Sequence, residues 1–215
     1  MLFRSGSITA LSGVTLNGPV TLSGVGTDVL PGIGGALLAG AAVTLNGEVY
    51  HTGGSQTYQG AVTLGNELSI KTANSPVTFD STVNGWSALY VDSGSASTTF
   101  NGEAGGTTAL HSLYLQGTGP TILGSAIVDE VLEVRGSVTL RGDTYSSNLS
   151  QTYTGAVTLE ADVSFTTDGS EVVFYSTLNS DDVARSVTIN TVSGDVELLG
   201  TVGGVSRLEI GRAHV

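Results

Sequence analysis

Two short stretches set acids close to a base, as acid–base cleavage would require: Asp129-Glu130 with Arg135, and Asp181-Asp182 with Arg185. Polysaccharide cleavage needs carboxylates in a groove, often helped by a basic residue or Ca²⁺. Neither group lies on the best-repeated part of the chain, so solvated turn charges are the plainer account. His51 and His111 are isolated, and no Ser-His-Asp arrangement can be assembled around them. Gly32-Ile33-Gly34 begins like a dinucleotide loop, but no full fingerprint with its acidic partner follows. The Gly-Gly-x-Gly-x-Asp repeat that binds Ca²⁺ does not occur. Cysteine is absent, which excludes disulfides and thiolate metal sites. No catalytic residue, metal or cofactor is expected.

One tripeptide has the chemistry of a receptor ligand. Arg141-Gly142-Asp143 is of the integrin-binding type. Its equivalent elsewhere in the chain is Asn46-Gly47-Glu48. That points to a turn where the glycine is structural and its neighbours drift. Asn148-Leu149-Ser150 is formally a glycosylation sequon.

The elements that must position these residues are written twice. Gln56-Thr57-Tyr58-Gln59-Gly60-Ala61-Val62-Thr63-Leu64 returns 95 residues later as Gln151-Thr152-Tyr153-Thr154-Gly155-Ala156-Val157-Thr158-Leu159. Laid without a gap, Val43–Asn84 and Val138–Asn179 share 22 of 42 positions. Internal repetition on this scale signals a stacked array rather than a compact enzyme. Gly102 to Gly106 is echoed by Gly200 to Gly204, so three residues are gained around 180–186, where a surface loop is the natural host. Thr9 to Gly18 resembles Thr108 to Gly117 and reads as the later part of a first unit. Residues 6–208 are therefore expected to form one continuous array: 6–50 ending a first unit, 51–150 a second, 151–208 opening a third. The flanks 1–5 and 210–215 match translated frames of a common sequencing adapter. They are expected to be foreign to the fold.

Six Val-Thr-Leu triplets start at positions 14, 20, 43, 62, 138 and 157. In a strand, alternation sends Val and Leu to one side and Thr to the other. So short a strand holds only when stacked on its like, with glycines at the corners. Parallel crossovers are right-handed. The expected fold is all-β, a right-handed parallel β-helix of about 20 residues per coil. Tandem β-sandwich modules are the alternative, since 95 residues suits one. Tyr50/Tyr145 and Tyr58/Tyr153 recur at equivalent positions. They are expected to stack along one face, where a carbohydrate-stacking row is conceivable. Trp86 has no such counterpart, since Asp181 takes its place.

The 215 residues carry a formal charge of −12 with one lysine, Lys71. Nucleic acid and anionic membrane surfaces are therefore poor partners. No apolar run reaches the 18 residues of a membrane span. Open strand edges at the ends of a rod lead to an expectation of end-to-end self-association.

Gln-Thr-Tyr-x-Gly-Ala-Val-Thr-Leu, Val-Thr-Phe-x-Ser-Thr-Val-Asn at 77–84 and Gly-x-x-Gly-Gly-x-x-x-Leu at 102–110 together resemble long bacterial β-strand-repeat adhesins. These are the filamentous-haemagglutinin-like and autotransporter-passenger proteins. The resemblance implies a right-handed β-helix, an outer-membrane translocator as export partner, and display at the cell surface or release outside the cell. A host-surface or glycan ligand and a structural, adhesive role follow from it. A polysaccharide-degrading β-helix enzyme is the alternative.

Overall fold

A computed structural model of the protein describes residues 12–27, 31–204 and 207–214. Residues 1–5 of the expected foreign flanks lie outside the described residues. At the other end, the strand Leu208–His214 runs through most of 210–215.

The chain is all-β, and its strands pair in parallel throughout. Each of the six Val-Thr-Leu triplets is a three-residue strand. The chain visits three faces in strict rotation. The first face is nine strands deep, from Val14–Leu16 to Leu178–Ser180. The second runs from Val20–Leu22 to Leu208–His214, and isolated bridges at Ala104 join its two parts. The third runs from Val49–Thr52 to Val196–Leu198. This is a parallel β-helix of about nine turns, and the sandwich alternative is set aside, because among the described residues no strand pairs with its chain neighbour. At about 4.8 Å per coil, the nine-stranded face is about 40 Å long.

The core is one column inside the three walls. Val62 and Leu64 are buried while Thr63 points out, as period-two alternation requires. In-register stacking carries aromatic rings up the column. On the first face Tyr58, Phe79 and Phe100 lie with centroids 5.1 and 4.4 Å apart. On the third, Tyr153 and Phe174 stack at 4.9 Å.

Coil length is set at the corners. Along the first face, Val14, Leu37, Gln56, Val77, Thr98, Thr121, Val138, Val157, Leu178 and Val202 are successive register partners, so a coil takes 17 to 24 residues. The longest, from Leu178 to Val202, contains the three-residue gain. It falls between the strands Leu178–Ser180 and Arg185–Asn190, within residues 181–184.

The repeat does not equal a whole number of coils. Between Gln56–Tyr58 and Gln151–Tyr153 the chain takes fourteen steps from face to face, which is four coils and two faces. Gln56–Tyr58 lies on the first face and Gln151–Tyr153 on the third. Val43–Leu45 lies on the second and Val138–Leu140 on the first. The second copy is thus the first, raised by about 22 Å and turned by one face. The nine-residue motif itself spans two faces of a coil rather than a full turn.

Candidate functional site

Among the residues that recur, the glutamines and tyrosines turn inward. Gln56 is fully buried; its Nε2 donates to the carbonyls of Tyr50 (2.7 Å) and Lys71 (2.8 Å), and its Oε1 accepts from the Tyr58 hydroxyl (2.6 Å). Gln151 repeats the arrangement with Tyr145 O (2.9 Å), Thr166 O (2.8 Å) and the Tyr153 hydroxyl (3.1 Å). A primary amide has two donors on one nitrogen, so one side chain can tie two successive coils at a corner. Beside it runs a line of buried hydroxyls. Thr52, Thr72 and Ser93 donate to the carbonyls of Gly54, Ser75 and Ala96. In the second copy Ser147, Thr167 and Thr191 donate to Leu149, Ser170 and Gly194. Among the described residues no buried side-chain nitrogen or oxygen lacks a partner.

Arg141-Gly142-Asp143 forms the corner between the first and second faces. From inside, the buried Tyr145 hydroxyl accepts from Gly142 N–H (3.1 Å) and donates to Leu123 O (2.8 Å). Tyr50 does the same with Gly47 (2.8 Å) and Leu22 (2.7 Å) in the earlier copy. A Cβ at Gly142 would meet the Ser125 backbone nitrogen at 2.1 Å, and one at Gly47 the Gly24 nitrogen at 2.3 Å. Both glycines are required by this close approach of coils. Outside, Arg141 pairs with Glu160 at 2.7 Å, and Asp143 accepts from Ser125 Oγ (3.2 Å) and Thr144 Oγ1 (3.0 Å). The tripeptide is a flush corner with both charged side chains engaged by neighbours.

The structure separates the first acid–base group and tightens the second. Arg135 pairs with Glu133 (2.7 Å) rather than with Asp129 or Glu130. Glu130 faces His111 at 3.5 Å, and Asp129 accepts from Asn148 Nδ2 at 2.8 Å. Asp181 and Arg185 form a two-point pair at 3.0 and 2.7 Å, so the guanidinium holds the Asp181 carboxyl below its ordinary range. Asp182 stays exposed on the inserted loop. No group of three or more His, Cys, Asp or Glu suited to a metal occurs among the described residues.

The recurrent tyrosines do not form a surface row. Tyr50, Tyr58, Tyr145 and Tyr153 are all fully buried. Their signal was the register itself: Tyr58 stands against Ala39 and Phe79, both inward. Burial pushes the Tyr50 hydroxyl up to about 12 and the other three further in the same direction. The aromatic rings that do reach the surface are others. Tyr90 and Tyr114 stack at 4.6 Å on the outer side of the third face. Trp86 is 60% exposed at the corner before that face, with its ring 5.9 Å from His111, edge to face.

Comparison with protein-family models, with curated proteins and with solved structures gives no match. The parallel β-helix and its strand repeat thus stand on the chain's own geometry.

Proposed function

We propose that the chain is a structural and adhesive segment of a large secreted or surface-displayed bacterial protein. The observation that carries this reading is the direction of the repeated residues. Gln56/Gln151, Tyr50/Tyr145, Tyr58/Tyr153 and Thr72/Thr167 all point into the column or its corners. These recurrent residues hold the rod together, while others of the repeat, such as Thr63/Thr158, face outward. The sequence resemblance to β-strand-repeat adhesins supplies the remainder of the reading: export through an outer-membrane translocator, an extracellular or cell-surface location, and a host-surface or glycan ligand. Arg141-Gly142-Asp143 has a minor part in it, since its side chains are already engaged.

The test is attachment. Beads coated with the full chain are expected to be retained on epithelial monolayers more than albumin-coated beads. They are expected to release no reducing sugar from polygalacturonate or other acidic polysaccharides. Retention no better than albumin overturns the adhesive reading, and sugar release favours the enzyme.

A further inference from the structure

Trp86 is the single tryptophan of the chain and one of its most exposed large side chains. It is presented by design of the backbone rather than left over from the core. Gly85, at φ +131°, turns the chain outward just before it, and Ser87 N–H closes the kink onto Gly85 O at 2.8 Å. The coil above adds a bulge, Gly105 to Ala109, whose Thr107 and Thr108 N–H groups are gathered by Asn84 Oδ1 at 2.9 and 3.2 Å. Both threonines are exposed. The ladder then rises from Ser87 to His111 and Glu130, through His111 N–H on Ser87 O and Glu130 N–H on His111 O. His111 buttresses the indole from one side and meets Glu130 on the other.

We propose that this corner, built from Trp86, Thr107, Thr108, His111 and Glu130, binds a neutral, extended glycan. An indole offers a flat apolar face to the C–H side of a sugar ring. Hydroxyls, imidazole and carboxylate rising along one ladder, about 4.8 Å per coil, offer hydrogen-bond partners to successive rings. Charge selects against acidic sugars: Glu130 is in the row, Asp129 and Glu133 are close in the chain, and the whole chain is at −12. A protein partner fits less well, because interfaces are centred on a contiguous apolar core. Trp86 has Gly85, Ser87 and the two threonines around it, and Leu149 lies two rungs beyond His111. This inference rests on the adhesive reading and names its ligand class.

The lone tryptophan makes the test direct. Titrating the full chain with chitohexaose and cellohexaose is expected to shift the indole emission saturably with at least one of them, while hexagalacturonate does not. By calorimetry, Trp86→Ala is expected to weaken that binding about tenfold or more, and Trp86→Phe to retain most of it. Unchanged far-ultraviolet dichroism is the check that the exposed substitution leaves the fold intact. No emission change with either neutral hexamer, equal binding of the acidic one, or affinity unaltered in Trp86→Ala overturns the site. Bead attachment that persists alongside such a result leaves the adhesive reading standing and removes only this site.

Discussion

The backbone N–H of Gly142 donates to the buried hydroxyl of Tyr145 at 3.1 Å, so the most ligand-like tripeptide of the chain is fastened from inside. The same bond joins Gly47 to Tyr50 in the earlier copy, where the neighbours are Asn46 and Glu48. Gly142→Ala is expected to cost about 2 kcal/mol or more, because its Cβ would press on the Ser125 backbone. Asp143→Glu is expected to change melting by less than about 0.5 kcal/mol. Thermal denaturation of the two variants side by side checks both. Cell attachment unaffected by Asp143→Glu would remove the tripeptide as a receptor ligand.

Alkaline pH should unfold the rod. Burial raises the Tyr50 hydroxyl to about 12, with Tyr58, Tyr145 and Tyr153 also raised, against an ordinary value near 10. The folded state therefore holds these protons more tightly than the unfolded state. Their contribution is whole below about pH 10 and is lost as pH climbs through 10 to 12 and beyond. Melting temperature should be flat near neutrality and fall steeply above pH 10. Tyr145→Phe should reduce that slope while costing about 1–3 kcal/mol at pH 7, since Gly142 N–H and Leu123 O lose their partner. A slope unchanged in Tyr145→Phe would contradict this.

Val192 sits at φ +59° with 58% exposure, a conformation costly for a β-branched residue. The matching turn of the earlier copy has Gly94 at φ +64°, and both turns are closed by an acid or amide two residues before, Asp92 or Asn190. Val192→Gly is expected to stabilise the chain by about 1 kcal/mol. Chemical denaturation showing a loss instead would mean that the side chain has a packing role.

Leu198 is 41% exposed, although its register partners Phe174 and Tyr153 below it are closed. The 215-residue chain is expected to associate with itself as concentration rises, and Leu198→Lys should weaken that association. Light scattering that shows monomer at every concentration would contradict the expectation.

Much of this architecture could be read from the residues. The Val-Thr-Leu triplets have one apolar side and are too short to stand alone, which leaves stacking as the solution. The gain near 180–186 is legible in the change of offset between copies, and a surface loop is its natural host. The phase of the repeat was not legible. An offset of 95 residues fixes how each copy is arranged internally, whereas the face it occupies depends on every corner between. One coil takes 17 residues, from Thr121 to Val138, and another 23, from Thr98 to Thr121. The depth of the tyrosines is hidden for a different reason: Gln56 looks polar, yet its amide meets two carbonyls inside the wall. Trp86 carried no signal of a site beyond its failure to recur.

Whether the repeat serves as scaffold, as proposed, or as a binding surface is decided by comparing Gln56→Leu/Gln151→Leu with Thr63→Ala/Thr158→Ala in thermal melting and in bead attachment together. The glutamine pair is inward at the corners and the threonine pair outward on the same motif. The glutamine variant is expected to melt at clearly lower temperature and to lose attachment as it unfolds. The threonine variant is expected to keep its fold and its attachment. A threonine variant that remains folded yet no longer attaches would contradict the scaffold reading.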